Sequence, residues 1–163
     1  MSVKKAIYSG TFDPITNGHM DIIKRGLKIY DTIIIAVADS RAKNPMFDLD
    51  TRVNLIQKAT KDLGCVEVIA FRILLADLAK DLNVYHIIRG LRTTTDFEYE
   101  LQMSYANSSL EKKLETIFLM PSLENAFVSS SVVRELLRFN GKFDHLVPSC
   151  IYDDICMYKN KGV

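Results

Sequence analysis

Thr32-Ile33-Ile34-Ile35-Ala36-Val37-Ala38 is apolar at every position after its threonine and is dominated by β-branched side chains. A strand with one face in water alternates apolar and polar residues; this one does not, so it belongs to a sheet covered on both faces. Working outward, Ala6-Ile7-Tyr8, Val66 to Ala70, Val84 to Ile88 and Thr116 to Met120 are equally short and mostly aliphatic, and read as further strands. Amphipathic stretches separate them. Met20, Ile23 and Leu27 share one helical face, and Leu49, Val53, Ile56 and Leu63 repeat it, with Asp48 placed to cap the start and Gly64 the end. Leu75, Leu78 and Leu82 predict a short third helix, and Phe97, Leu101 and Tyr105 a longer fourth opening at Thr94, Thr95 or Asp96. Residues Val132 to Phe139 predict a fifth, stopped by Gly141, and Ile151, Ile155 and Tyr158 a sixth. This alternation gives an α/β fold: a doubly wound five-stranded parallel sheet with helices on both faces. Such sheets bind ligands beyond the carboxyl ends of the strands, where the strand order reverses.

Composition agrees with one globular domain over residues 1–163, with 48% hydrophobic and 25% charged residues and no break in character along the chain. The longest purely apolar run, Ile33 to Ala38, is far shorter than the roughly 20 residues of a membrane helix. Between Lys4-Lys5 and the turn-like Ser9-Gly10 only Ala6-Ile7-Tyr8 intervene, too few for a signal peptide's apolar core, so a cytoplasmic location without membrane attachment is expected. Twenty-one Lys and Arg against twenty Asp and Glu leave a net charge of +1, no field with which to hold a nucleic-acid backbone. A small anion gripped by a few local cations fits this balance. Cys65, Cys150 and Cys156 form neither a redox pair nor a zinc pattern with the three histidines and are expected to be reduced and mostly buried.

The segments that follow the strands carry the chemistry. After the first comes Ser9-Gly10-Thr11-Phe12-Asp13-Pro14-Ile15-Thr16-Asn17-Gly18-His19, in which two glycines let backbone N–H groups approach a ligand and a helix N-terminus adds partial positive charge. It is an anion cradle without the Gly-Lys-Ser/Thr of a Walker loop or the Gly-x-Gly-x-x-Gly of a dinucleotide turn. At position 19 the chemistry alone allows a phosphate donor or a polar residue that merely begins a helix. After the second strand, Ser40-Arg41-Ala42-Lys43-Asn44-Pro45 adds cations in a loop. After the fourth, Arg89-Gly90-Leu91-Arg92 can fork onto phosphate oxygens or form ion pairs with Asp96 or Glu98. Ser129-Ser130-Ser131 then opens another helix with more hydroxyls than a cap requires. Asp13 reads as a turn former, and His86 and His145 as structural residues.

Thr16-Asn17-Gly18-His19 resembles the Thr/His-x-Gly-His signature of the nucleotidyltransferase superfamily, and Val128 to Arg134 resembles its serine-rich second signature. Longer blocks are more specific: Gly10 to His19, Asn44-Pro45-Met46-Phe47, Ile88 to Arg92 with Asp96-Phe97-Glu98-Tyr99-Glu100, and Phe118-Leu119-Met120-Pro121. Together they resemble the bacterial phosphopantetheine adenylyltransferases from near residue 4 to near residue 158. That resemblance implies a Rossmann-like sheet, a homohexamer, and transfer of AMP from ATP to 4′-phosphopantetheine, giving dephospho-coenzyme A and pyrophosphate, with magnesium (Mg2+) carried on the ATP. It implies ATP contacts at Thr11, Phe12, His19, Gly90, Leu91, Arg92, Glu100, Asn125, Ala126, Phe127, Val128, Ser129, Ser130 and Ser131. It places phosphopantetheine at Thr11, Lys43, Leu75 and Arg89, and makes coenzyme A a feedback ligand of an overlapping site. Three positions depart from the family's pattern: Ser9 stands in place of a proline, Asn125 in place of an aromatic residue, and Ile73 where a small or polar residue is usual.

The chemistry of the residues agrees with that assignment. Attack by a phosphate oxygen on an α-phosphorus needs two aligned anions and neutralised charge, and no enzyme nucleophile. His19 and Lys43 are suited to donate to the α-phosphate, Arg92 and the serines to hold the leaving group, and Glu100 to accept from the nucleotide sugar or to orient an arginine. His19 is the expected catalytic residue, and no carboxylate cluster is spaced for a metal. A nicotinate mononucleotide adenylyltransferase or a glycerol-phosphate cytidylyltransferase would share the first and last signatures without the Arg89 to Glu100 block. A non-catalytic nucleotide sensor would not need His19 and Lys43.

Overall fold

The computed structural model describes residues 3–40, 42 and 44–159. Its centre is a five-stranded parallel sheet in the order β3-β2-β1-β4-β5, built from β1 (Lys5–Gly10), β2 (Thr32–Ala38), β3 (Val66–Phe71), β4 (His86–Gly90) and β5 (Glu115–Leu119). The chain winds outward from β1 through β2 to β3, then returns to lay β4 on the other side of β1. The order therefore reverses between β1 and β4, which pair directly with Ile7 opposite Ile87 and Tyr8 opposite Ile88. The helices are α1 (Asn17–Gly26), α2 (Leu49–Thr60), α3 (Leu75–Leu82), α4 (Thr94–Leu110), α5 (Ser130–Arg138) and α6 (Tyr152–Lys159).

Alternate residues of the central strands feed two cores. Ala6, Tyr8, Ile33, Ile35, Val37 and Ile88 face the layer that holds α1, α2, α5 and α6, with Ile23, Ile56, Val133 and Ile155 packed against them. Ile7, Ile34, Ala36 and Ile87 face the other way, onto Ala76, Leu78 and Ala79 of α3. The unbroken apolar run of β2 thus reports burial on both faces. The edge strands β3 and β5 are only partly buried.

Several boundaries differ from the sequence reading, each for a local reason. The fourth strand lies two residues later than Val84 to Ile88, because the Val84 N–H donates to the Ala79 carbonyl at 3.0 Å and completes the end of α3. Arg89 and Gly90 are therefore held in the sheet ladder, paired with Phe118 and Leu119. Asp48 caps α2 through the Thr51 N–H at 2.7 Å, but a short 3-10 turn over Lys61–Leu63 follows before Gly64 turns the chain at φ +74°. α5 begins at Ser130, two residues before Val132, whereas α4 opens at Thr94 as expected, capped by Thr93. The cysteines are not mostly buried: Cys65 and Cys150 are exposed and Cys156 is half-buried. Cys65 sits in the turn before an edge strand and Cys150 in the 3-10 turn before α6, places where a side chain faces outward.

Candidate active site

Beyond the carboxyl ends of β1 and β4, at the reversal of strand order, lies a cleft of about 470 Å³. Its floor is made by Tyr8 to Asp13, and the start of α1 supplies Gly18 and His19. Two close approaches fix this geometry. A side chain at Gly10 would meet the Phe12 ring at 3.0 Å, and one at Gly18 would meet the Val128 carbonyl at 2.9 Å. Glycine at 18 is what lets the start of α1 touch the turn that leads into α5, so the two signature segments share one wall. Phe12 holds a left-handed backbone, φ 49°, while buried beside Tyr8 and His19, with its ring edge-on to both. A bulky residue in that region is strained unless its surroundings hold it there.

The tautomer of His19 follows from its partners. Thr16 caps α1, and its main-chain N–H donates to His19 Nδ1 at 3.1 Å, closing a reciprocal capping box with the His19 N–H and the Thr16 hydroxyl. With Nδ1 accepting, the ring proton sits on Nε2, the one donor the side chain has left to offer. Desolvation, then the positive charges of Arg92 and Arg89, push the pKa of His19 down to about 3. The residue is a neutral donor fixed in orientation, at the wall of a cleft whose other side is cationic.

Arg89 and Arg92 supply that side. Glu100, projecting from α4, accepts from Arg89 Nε at 2.7 Å and from a second guanidinium nitrogen, while Arg89 Nη1 donates to the Ser9 carbonyl and lies 3.3 Å from its hydroxyl. Of the two roles open to Glu100, the geometry places it on the arginine. Arg92 pairs with Asp96, Nε to Oδ2 at 3.1 Å. The third wall is the start of α5, where the serines divide the work. Ser129 caps the helix through the Val132 N–H, Ser130 donates to the Pro14 carbonyl at 2.7 Å, and Ser131 accepts from Arg134. Arg134 also donates to the Asp13 carbonyl at 2.7 Å. The N-termini of α1 and α5 are thereby stitched together around one space, toward which each brings the positive end of its helix dipole.

Thr11, Phe12, His19, Arg89, Gly90, Arg92, Glu100, Asn125, Val128, Ser129, Ser130 and Ser131 all line the cleft. Leu91, Ala126, Phe127 and Leu75 stand off its walls: the Leu91 N–H bonds to the Leu119 carbonyl, Phe127 is exposed, and Leu75 packs against the α3 core. Lys43 lies outside the described residues. Asn125 donates through Nδ2 to the Ser122 hydroxyl at 2.9 Å. His86 meets Tyr30 edge-on away from the cleft, and the His145 carbonyl accepts from Asn17 at the start of α1. Asp13 does more than shape a turn. Its carboxylate accepts the Met46 and Phe47 N–H groups at 2.8 and 2.9 Å, tying the loop before α2 to the floor. Buried Arg52 escaped the sequence reading, although its place beside Leu49, Val53 and Ile56 on the inward side of α2 was the available signal.

Comparison with known proteins gives this cleft its context. The cytidylyltransferase-like family profile matches residues 7–136, from β1 into α5. The phosphopantetheine adenylyltransferase of Nautilia profundicola is 58% identical over 151 residues, covering 93% of this chain and 98% of that protein. The phosphopantetheine adenylyltransferase of Helicobacter hepaticus is 57% identical over 150 residues, covering 92% of this chain and 91% of its own. In fold, the chain superposes on a bifunctional NMN adenylyltransferase/ADP ribose pyrophosphatase from Francisella tularensis with a TM-score of 0.74 at 15% identity, over 98% of this chain and 50% of that one. Likeness at so low an identity is a likeness of fold. The specific match is the one that runs through the cleft-forming segments over nine-tenths of the chain, and by it the chain belongs to the phosphopantetheine adenylyltransferase family.

Proposed function

We propose that this protein transfers the adenylyl group of ATP to 4′-phosphopantetheine, releasing pyrophosphate and dephospho-coenzyme A. The observation that carries the reading is the single cleft in which a neutral, oriented imidazole, two arginines and the N-termini of α1 and α5 converge. That set suits two phosphorylated molecules aligned for reaction and offers no side chain that must be covalently modified. An oxygen of the acceptor's phosphate attacks the α-phosphorus, a new P–O–P linkage forms, and the bond to the β-phosphate oxygen breaks. His19 Nε2–H donates to the α-phosphate as charge grows there, while Arg92 and the α5 start hold the departing pyrophosphate. Arg89, with Thr11 and Lys43, holds the acceptor. Mg2+ enters as part of the MgATP substrate, with no step assigned to a protein-held metal.

Pyrophosphate release on mixing the protein with ATP tests this directly. Release is expected with phosphopantetheine, and release with nicotinate mononucleotide or glycerol phosphate in its place would reassign the acceptor. Coenzyme A contains the product's whole skeleton and is expected to compete at the same cleft as a feedback ligand. No helix among the described residues is long and apolar enough to cross a membrane. The soluble substrates of this reaction fit work in the cytoplasm.

The same reading includes assembly as a homohexamer. In support, no residue of α4 is fully buried within the chain, and Phe97, Tyr99, Met103, Tyr105 and Leu110 are exposed along it. Light scattering is expected to give six times the 18.5 kDa chain mass; a monomer at micromolar concentration would refute the assembly and leave the cleft chemistry intact, since every contact described comes from one chain.

A further inference from the structure

Arg52 is 1% exposed, an unusual depth for a guanidinium. Its donors reach four main-chain carbonyls: Nε to Phe47 at 3.0 Å, Nη1 to Thr11 and to Ala38 at 2.7 Å each, and Nη2 to Asp39 at 3.0 Å. These carbonyls belong to three separate pieces of chain: the turn after β1, the end of β2 with the residue beyond it, and the loop that enters α2. Loops bury such carbonyls only when something satisfies them, and here one side chain satisfies all four. Asp13 binds the same loop from the other side through the Met46 and Phe47 N–H groups. Thr11 and Ser40, one from each strand end, meet through their hydroxyls at 3.1 Å.

The consequence is geometric. Asp39, just beyond β2, and Phe47, two residues after the cleft-lining Pro45, are both held by one residue that lines no part of the cleft. The far wall, made by Gly90, Arg92 and the start of α5, makes no bond to Arg52. An apolar side chain of the same size would leave four main-chain carbonyls without this donor. A planar fork with five donors in fixed directions does what an apolar residue cannot, namely set the spacing of three loops at once.

We propose that Arg52 is a positioning residue for the acceptor side of the cleft, setting the height of Thr11 and of the Asn44-Pro45 stretch against His19 and Arg89. This rests on the reading that Thr11 and Lys43 hold phosphopantetheine. The test compares Arg52→Lys and Arg52→Gln with Lys43→Ala, measuring the KM for phosphopantetheine, kcat, ATP affinity by calorimetry and the melting temperature of each. Lysine keeps the charge but cannot span four carbonyls, so both Arg52 variants should raise the acceptor KM about tenfold or more, with a smaller loss of ATP affinity through Thr11, which the same reading places on both substrates. Arg52→Lys should lie between wild type and Arg52→Gln, and as the milder change it carries the test should Arg52→Gln fail to fold. A lowered melting temperature with an unchanged acceptor KM would make Arg52 a structural residue only and overturn the proposal, as would equal losses toward ATP and acceptor. If Lys43→Ala leaves the acceptor KM unchanged, the underlying reading of Lys43 fails; if Lys43→Ala raises it and the Arg52 variants do not, the failure is the Arg52 proposal's own.

Discussion

His19→Ala is expected to lower kcat by ~10²–10³ while changing ATP affinity only slightly, because the lost donor acts where charge accumulates during transfer rather than in the bound ground state. The structure sharpens why. His19 Nδ1 is occupied by the Thr16 N–H, so the ring enters the reaction already oriented, and its donor does not have to be recruited from another hydrogen bond. With a pKa near 3 the ring stays neutral across the working range, so no inflection at the usual histidine value of about 6.5 should appear in the kcat/KM profile from this group. The same shift has a sign for stability. The unfolded chain takes up the proton at about 6.5 and the folded one only near 3, so the contribution is complete above the unfolded value and is lost as the pH falls through that window. Kinetics of the alanine variant and the histidine's nitrogen resonances followed by NMR between about pH 8 and 5 check both halves. An alanine variant with normal turnover would remove His19 from the chemistry; a ring that protonates near 6.5 would remove the neutral-donor account.

What the sequence revealed, and what it hid, divides along a physical line. Thr32 to Ala38 could be read as a doubly buried strand because burial writes itself into side-chain type, and β2 has the predicted bounds. Asp48 could be read as a cap because a cap is local, and it bonds three residues on. Arg89 and Arg92 were recognisable as phosphate-binding candidates, yet their partners were not equally so. Asp96 is four residues from Arg92 and was foreseen, whereas the choice of Glu100 between sugar and arginine depended on how far α4 leans over β4. Bonds that span the fold left no local trace. Arg134 to the Asp13 carbonyl and Arg52 to the Thr11 carbonyl join residues 121 and 41 positions apart, and main-chain acceptors carry no residue identity to betray them. α4 shows the opposite failure, for the spacing of Phe97, Leu101 and Tyr105 suggested a packed face, yet Leu101 is only half-buried and Phe97 and Tyr105 are exposed.

Removing the acceptor's phosphate should have the other large effect, since in the proposed reaction that group is both the anchor and the attacking nucleophile. Pantetheine is therefore expected to be close to inert. On the protein side, Arg89→Ala should cost about 10²-fold in kcat/KM for phosphopantetheine, the scale of losing a charge-assisted fork, with ATP affinity nearly unchanged. Part of that loss would come from what remains behind. Glu100, whose side chain is 12% exposed and whose two oxygens are both engaged by Arg89, would be left as a bare carboxylate facing an incoming phosphate. Arg89→Ala combined with Glu100→Gln should accordingly recover some of the acceptor KM lost in the single variant, whereas Glu100→Gln alone should weaken acceptor binding by loosening the arginine it holds. The double-mutant cycle separates a positioning carboxylate from one that binds the nucleotide directly. Parallel rates with pantetheine and phosphopantetheine, calorimetric ATP affinities for all three variants, and the acceptor KM of each supply the measurements. Comparable rates with the two acceptors would release the phosphate from its anchoring role, and a Glu100→Gln variant whose sole defect lay in ATP affinity would return that carboxylate to the nucleotide.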